Sequence, residues 1–216
     1  MTEIDIDDFI RKVQAYQSSV YAVEDSYRQI LNRLDIWDNL AEIDDSKTTC
    51  ILEFLNRWKC RVSYDCTSSL ATTLRELSEP LFKFKSHRLE EVSLDSLVED
   101  LDAIKDVFRR IASVRAGART VGATATSKVL HLVNPRFFMM SDRNIRDGYG
   151  YSDDEVGYAK FMRHMKSFAD VLMHEYSLAR NIPMNSVLSS LVFECKSKAA
   201  TIPKLLDEYN WVKFNL

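Results

Sequence analysis

The sequence contains little glycine, proline and cysteine, and it has no long apolar run. Its 216 residues include five glycines, four prolines and four cysteines, so few positions force a break in secondary structure. The longest apolar runs are far shorter than a membrane span, and the amino terminus lacks the basic-then-apolar pattern of a signal peptide. These absences favour a cytoplasmic protein that does not enter a membrane.

The cysteines lack the spacing of a metal or redox motif. Cys50, Cys60, Cys66 and Cys195 include no Cys-x-x-Cys pair, which argues against a zinc ribbon or an iron–sulfur cluster. We expect reduced, mostly buried thiols and no metal or other cofactor. The sequence also lacks a phosphate-binding loop ending in Gly-Lys-Ser/Thr, a Gly-x-Ser-x-Gly elbow and a His-Glu-x-x-His motif.

Apolar residues recur every three or four positions along most of the chain, which predicts amphipathic helices. The pattern is clearest over 5–34, 46–58, 93–111, 152–176 and 184–195, and again from residue 202 onwards. Alternation typical of a strand occurs only over 59–67, which is too short to support a sheet. We therefore predict an all-α fold in one compact multi-helix domain, 1–216. Division into two packed lobes, 1–92 with the C-terminal helices and 93–180, remains open.

One stretch, residues 120–146, combines features that suggest a site. Gly122 can adopt a positive φ and opens an apolar helix whose first amides are free to bind an anion. Asn134-Pro135 ends that helix, and the apolar run Phe137-Phe138-Met139-Met140 follows. Asp142 then precedes a short helix that Gly148 would stop. This carboxylate is either a helix cap or a functional group.

Charge is distributed unevenly. Residues 1–45 contain four basic and eleven acidic side chains, whereas residues 104–146 contain nine basic and two acidic side chains, although the whole chain carries a net charge of −3. A basic region of this kind could contact DNA. The alternative is a set of solvated helix faces balanced by the acidic amino terminus. The basic run 83–88 has the same two interpretations.

The stretch 120–146 resembles the helix-hairpin-helix DNA glycosylase superfamily. Val121-Gly122 matches the end of the hairpin motif Leu-Pro-Gly-Val-Gly, and Asp142 follows Gly122 by twenty positions, as the family's aspartate does. Asn144-Ile145-Arg146 stands where the family has a His-Val-x-Arg-like segment. Two positions depart from the pattern, because Thr120 replaces the first hairpin glycine and Thr124 replaces the lysine of bifunctional members. The stretch also resembles an uncharacterised microbial protein family.

The resemblance implies a helix-hairpin-helix-like unit at 104–147 and a role in DNA repair. Asp142 would be the catalytic residue of a glycosylase that acts on a flipped base. DNA would be a partner, bound by these residues: Arg119, Gly122, Ala123, Thr124, Lys128, Arg143 and Arg146.

A second hypothesis is a non-catalytic all-α module that binds nucleic acid or protein, in which Asp142 only caps a helix. Two neighbouring residues also have ordinary structural interpretations. Lys128 could pair with Asp142, because a buried ammonium is costly without compensation. His131 lies on the apolar helix and is expected to be a hydrogen-bonded core histidine. The sequence does not indicate an oligomeric state.

Overall fold

The computed structural model describes residues 4–19, 21–33 and 40–216. The predicted all-α fold is confirmed. The α-helices are α1 (Ile6–Ser19), α2 (Tyr21–Arg33), α3 (Asp45–Arg57), α4 (Thr67–Glu76), α5 (Ser78–Phe82), α6 (Leu94–Ala112), α7 (Gly122–Val133), α8 (Arg143–Tyr149), α9 (Glu155–Arg180), α10 (Val187–Glu194) and α11 (Ile202–Asn215). Three short 3₁₀ helices lie at Leu40–Glu42, Tyr64–Cys66 and Met184–Ser186.

The single sheet among the described residues has two short strands. β1 (Arg115–Ala116) pairs antiparallel with β2 (Arg119–Thr120). Gly117 has a φ of 61° in the turn between them, a backbone conformation that glycine adopts without steric cost. The hairpin connects α6 to α7, so residues 94–133 form two helices joined by a hairpin. Gly122, at the start of α7, has the positive φ that the sequence allowed, 74°.

Polar side chains fix several helix starts. Asp44, Ser93, Asp154 and Thr201 each accept a hydrogen bond from a backbone amide in the first turn of the following helix, before α3, α6, α9 and α11 respectively. Each bond satisfies one amide that has no partner within the helix. Because Asp44 and Asp154 provide the caps, α3 begins one residue before the expected Ser46 and α9 begins at Glu155.

The weak strand pattern over 59–67 does not correspond to a strand. The backbone folds back on the end of α3, where the amide of Cys60 donates to the carbonyl of Leu55 at 3.0 Å. The Asn56 side chain accepts from the Val62 amide at 2.8 Å and donates to the Val62 carbonyl at 2.9 Å. Lys59 and Arg61 adopt positive φ values of 60° and 56°. The side chain of Asn56 thus replaces a strand partner.

The longest helix, α9, packs against α6, which also packs against α7, and α1 packs against α11. Their apolar faces share one core cluster. The predicted apolar run is fully buried within it, since Phe137, Phe138, Met139 and Met140 are all 0% exposed. The sequence of the acidic connection after α2 predicts that Trp37 and Leu40 are buried. Leu40 is buried, and Trp37 lies outside the described residues.

The basic run 83–88 is anchored to the protein. Lys83 forms an ion pair with the buried carboxylate of Asp100, and the His87 Nε2 lies 3.2 Å from Asp100 Oδ2. Phe84 is fully buried. Asn134 donates to the carbonyls of Phe84 at 2.7 Å and His87 at 3.0 Å. The run is therefore held against α6 and the end of α7.

Three further findings concern membrane spans, metal ligands and cysteines. Among the residues described, no helix is both long and apolar enough to cross a bilayer. The same residues contain no group of three or more His, Cys, Asp or Glu side chains arranged to hold a metal ion. The four cysteines are free, with Cys66 and Cys195 buried and Cys50 and Cys60 partly buried.

Candidate functional site

Asp142 is positioned by the buried segment between α7 and α8. The Ser127 hydroxyl donates to the Ser141 carbonyl at 3.2 Å and accepts from the Ser141 amide at 3.0 Å. Two residues before Ser141, the Met139 carbonyl accepts a hydrogen bond from the Tyr158 hydroxyl of α9 at 2.9 Å. The segment is thus hydrogen-bonded to both α7 and α9, and these bonds fix the position of Asp142.

Asp142 caps α8. Its Oδ1 accepts from the amide of Ile145 at 3.0 Å, as predicted for a helix-capping carboxylate. Its Oδ2 accepts no hydrogen bond from any described residue. The side chain is half-buried, so one carboxylate oxygen is fixed by the backbone and the other is available.

A cavity of about 430 Å³ opens beside Asp142. We call it the Asp142 cavity, and its volume falls within the range of ~300–1,000 Å³ that is typical of small-molecule sites. Five helices or their ends contribute to its walls. The lining residues are Tyr16, Arg57, Trp58, Lys59, Cys60, Thr124, Lys128, Asp142, Arg143, Asn144, Asp207 and Trp211.

Aromatic rings form much of the wall and cations form its rim. Trp58 follows α3, and its indole Nε1 donates to the Ser26 hydroxyl at 3.1 Å, which fixes the ring plane. Trp211 lies on α11 and contacts Tyr16 edge-on, with ring centroids 5.6 Å apart. Arg57, Lys59 and Arg143 are exposed. This combination suits a flat aromatic group attached to an anion.

Lys128 is a buried cation in the wall. Its side chain is only 4% exposed, and its Nζ lies 5.3 Å from the centre of the Trp58 ring. The expected ion pair with Asp142 does not form, and Lys128 has no ion pair or hydrogen bond to any described residue. The cavity therefore holds an ammonium group whose donors are not used by the protein.

Asp207 belongs to a second charged group behind the cavity, which we call the Lys204 cluster. The Lys204 ammonium is fully buried, and it contacts Glu24 at 3.1 Å, Asp207 at 3.2 Å and Glu208 at 3.5 Å. It also donates to the Tyr16 hydroxyl at 3.2 Å. Of the three carboxyl groups, only Asp207 lines the Asp142 cavity.

Burial and charge pairing shift the pKa values of the cluster in opposite directions. Burial disfavours the charged form of Lys204, but Tyr16 and the three carboxylates together raise its pKa well above the ordinary value. Burial raises the pKa of Asp207, against the opposing effect of Lys204. Burial also raises the pKa of Glu208, to about 7. The ammonium therefore stays charged, while Asp207 and Glu208 hold protons more tightly than usual.

His131 is a core histidine, as expected. Burial lowers its pKa to about 3, so the imidazole is neutral. Its Nδ1 lies 2.7 Å from the Phe138 carbonyl and its Nε2 lies 2.7 Å from the Tyr27 hydroxyl. The neutral ring thus donates to the carbonyl and accepts from Tyr27. No described histidine lines the cavity, and burial raises the pKa of the Cys60 thiol, so a Cys–His nucleophile is not assembled there.

The structure brings together four of the eight candidate residues. Asp142, Thr124, Lys128 and Arg143 line the Asp142 cavity. Arg119 is exposed on β2, and Gly122 and Ala123 lie at the start of α7, outside the cavity lining. No described heavy atom lies within 4 Å of a Cβ added at Gly122, so an anion could approach this turn.

Arg146 has an internal role in the structure. It is only 6% exposed, and its guanidinium donates to the Ser141 carbonyl at 2.7 Å and to the Thr124 hydroxyl at 3.2 Å. These bonds join α8 to α7. Its guanidinium is therefore directed inward, away from the surface where DNA would bind.

Several basic residues of the 104–146 region are paired within the protein. Lys105 pairs with Asp102, Arg109 with Asp106 and Arg110 with Glu76. Arg115 and Arg119 of the hairpin form no ion pair with any described residue. Arg143 pairs with Asp147 at 3.4 Å. Exposed cations remain at the hairpin, at Arg136 and, through Arg57 and Lys59, at the rim of the cavity.

The sequence analysis missed the residues that reach the cavity from distant helices. The spacing of Trp58 and Trp211 predicts core residues. No local sequence pattern indicates that Asp207 or Tyr16 belongs to a functional site. Tyr16 and Trp58 precede the 120–146 stretch by more than 60 positions, and Asp207 and Trp211 follow it by more than 60. Only the packing of α1, α3 and α11 around α7 assembles them.

Comparison of the chain with family models, with curated proteins and with solved structures finds no match. Evidence on function therefore comes from the residues of the Asp142 cavity and from the resemblance of the 120–146 stretch to the helix-hairpin-helix DNA glycosylase superfamily.

Proposed function

We propose that the protein is a DNA-repair-type N-glycosylase that hydrolyses the bond between a flipped base and its sugar. The observation that carries the proposal is the position of Asp142 in an aromatic-lined cavity of base-binding size with a cationic rim. Enzymes of this kind hold an extruded base between aromatic side chains. A cytoplasmic location agrees with a DNA substrate and with four free thiols.

Each part of the cavity has a role in this mechanism. Trp58 and Trp211 stack on the flipped base, while Arg57, Lys59 and Arg143 neutralise the flanking phosphates. The hairpin and Gly122 contact the backbone further along the strand. Asp142, through its unpaired oxygen, stabilises the positive charge that grows on the sugar and orients the attacking water. The products are a free base and an abasic site.

The alternative is a non-catalytic module in which Asp142 only caps α8. An Asp142→Asn substitution distinguishes the two, because asparagine keeps the cap but lacks the charge. The enzyme should lose base release by about 100-fold or more, while its free energy of unfolding changes by no more than about 1–2 kcal/mol. Chromatography of bases released from a panel of damaged and mismatched duplexes measures the first effect, and denaturant unfolding measures the second.

Asp154→Asn is the matched control. It removes the charge of another carboxylate that caps a helix, α9, but Asp154 is exposed and does not line the cavity. Base release should be unchanged in this variant. If the parent protein releases no base from the panel, and Asp142→Asn binds duplex DNA as the parent does, the interaction module is the better account.

The identity of Thr124 predicts the product. No lysine occupies the position of the bifunctional members, so the abasic site should remain intact and borohydride should trap no covalent complex. Trapping that disappears in Lys128→Gln would contradict this expectation. It would show that the amine one helical turn further along α7 acts as a nucleophile.

A further inference from the structure

Asp142 and Asp207 line the same cavity from different helices. Asp142 precedes α8 and Asp207 lies on α11. Each has one oxygen fixed by the protein, since Asp142 Oδ1 accepts from the Ile145 amide and Asp207 Oδ2 accepts from Lys204 at 3.2 Å. The other oxygen of each carboxyl group receives no hydrogen bond from a described residue. The cavity thus presents two carboxyl oxygens to whatever it binds.

We propose that Asp207 is the general acid of this site, donating a proton to the departing base while Asp142 faces the sugar and the water. The proposal rests on the glycosylase function proposed above and assigns the group that balances its protons. A base that leaves as an anion is a poor leaving group, and a positioned acid contributes about 10²–10⁴-fold to such a step.

The two carboxyl groups differ in the way that a division of roles requires. Asp142 is half-buried, whereas the side chain of Asp207 is only 8% exposed. Three carboxyl groups surround the single ammonium of Lys204, so full ionisation would leave excess negative charge inside the protein. Burial raises the pKa of Asp207 accordingly. Asp207 is therefore the better proton donor of the two.

Charged and titratable groups from several helices surround Asp207. They are Tyr16 of α1, Glu24 and Tyr27 of α2, Lys128 of α7, Asp142 before α8, and Lys204 and Glu208 of α11, with Arg57, Lys59 and Arg143 at the rim. Lys204 and Lys128 favour the ionised form, whereas burial and Asp142 oppose it. The cations thus stabilise the carboxylate that forms after the proton has left.

Cleavage of the glycosidic bond uses one proton donor and one proton acceptor. The bond between the sugar C1′ and the base nitrogen breaks, and its electron pair goes to the base, which takes the proton of Asp207. Water adds its oxygen to C1′ and gives a proton to the Asp142 carboxylate. The products are the neutral base and the abasic sugar, and exchange with solvent returns the proton from Asp142 to Asp207.

Leaving groups that differ in their need for a proton test the assignment. Hypoxanthine and uracil in a duplex need a proton to leave as neutral bases, whereas 7-methylguanine is already cationic. Asp207→Asn should lower release of hypoxanthine or uracil by about 100-fold or more and should change release of 7-methylguanine by less than about threefold. Asp142→Asn should lower both. Asp100→Asn, which alters a buried carboxyl group away from the cavity, should leave the contrast between substrates unchanged.

The pH dependence of the parent protein provides a test that needs no variant. Release of hypoxanthine or uracil should fall as pH rises through the pKa of the acid, whereas release of 7-methylguanine should not. Equal effects of Asp207→Asn on both classes, or a pH profile for the neutral bases that matches that of 7-methylguanine, would overturn the role of Asp207 and leave that of Asp142 intact. Absence of base release by the parent would overturn both.

Discussion

At the residue scale, the cavity separates two charges that the sequence suggested would pair. Lys128 and Asp142 line the same space, but they are not within ion-pair distance. Lys128 instead lies against Trp58, and Asp142 bonds to the backbone of α8. Since a paired amine and carboxylate would satisfy each other, their separation leaves both charges available to a ligand.

This separation predicts opposite effects of Lys128 on stability and on function. An ammonium buried without a hydrogen bond costs free energy, and its contact with Trp58 recovers only about 0.5–2 kcal/mol. Lys128→Met should therefore leave the free energy of unfolding unchanged or raise it by about 1 kcal/mol, while weakening duplex binding or base release. Denaturant unfolding and the base-release assay measure the two effects.

The other buried lysine provides the control. Lys204→Met removes the partner of three buried carboxyl groups, so it should lower the free energy of unfolding by about 3–5 kcal/mol. A comparable loss in Lys128→Met would mean that Lys128 also has a structural role, and would contradict the distinction drawn from their contacts.

At the element scale, the helices were predictable and their assembly was not. Apolar spacing of three and four is a local property, so it located α3, α6, α9, α10 and α11 from the sequence. It predicted one helix over 5–34, where the structure has α1 and α2. The hydrogen bonds between Asn56 and Val62, which replace a strand at 59–67, depend on the geometry at the end of α3. The inward direction of Arg146 depends in the same way on how α8 docks against α7.

Two arginines of α8 show what that docking decides. Arg143 is exposed at the cavity rim, whereas Arg146 is buried and joins α8 to Thr124 and Ser141. If the protein binds duplex DNA, its affinity should fall steeply with salt, because each neutralised phosphate releases counterions. Arg143→Gln should reduce the slope of that dependence by about one, and Arg146→Gln should leave the slope unchanged.

Arg146→Gln should instead affect folding. Loss of the guanidinium removes one of the two hydrogen bonds to the buried Ser141 carbonyl and the bond to Thr124, so the free energy of unfolding should fall by about 1–3 kcal/mol. Fluorescence titrations at several salt concentrations, with unfolding curves for both variants, separate the two roles. A reduced slope in Arg146→Gln would show that this side chain reaches a phosphate, and salt-insensitive binding by the parent would remove the DNA interpretation.

At the scale of the whole molecule, the charges of distant segments meet at one place. Glu24 belongs to the acidic amino-terminal region, Lys128 to the basic central region and Asp207 to the last helix. The sequence revealed the imbalance between the regions, but it could not reveal that α1, α2, α7 and α11 converge behind the Asp142 cavity. The site is therefore a product of tertiary packing, with only Asp142 and its neighbours on α7 and α8 readable in advance.

This convergence predicts an unusual dependence of stability on pH. Burial raises the pKa of Glu208 from the ordinary value of 4.5 to about 7, so between these values the folded protein binds more protons than the unfolded chain. The contribution of Glu208 to stability is therefore fully present below about pH 4.5 and is lost as pH rises through about 7. The whole loss is on the order of 3 kcal/mol.

Glu208→Gln isolates this effect, because glutamine resembles the protonated side chain at every pH. The variant should match the parent near pH 5 and exceed it in free energy of unfolding near pH 8, with the difference growing through about pH 7. His131, whose pKa is lowered to about 3, loses stability in the opposite direction, as pH falls below its unfolded value of 6.5. That contribution is the same in both proteins and cancels in the difference. Denaturant unfolding of both proteins from pH 5 to 8 measures it, and a difference that is constant or shrinks with rising pH would show that Lys204 keeps Glu208 ionised throughout.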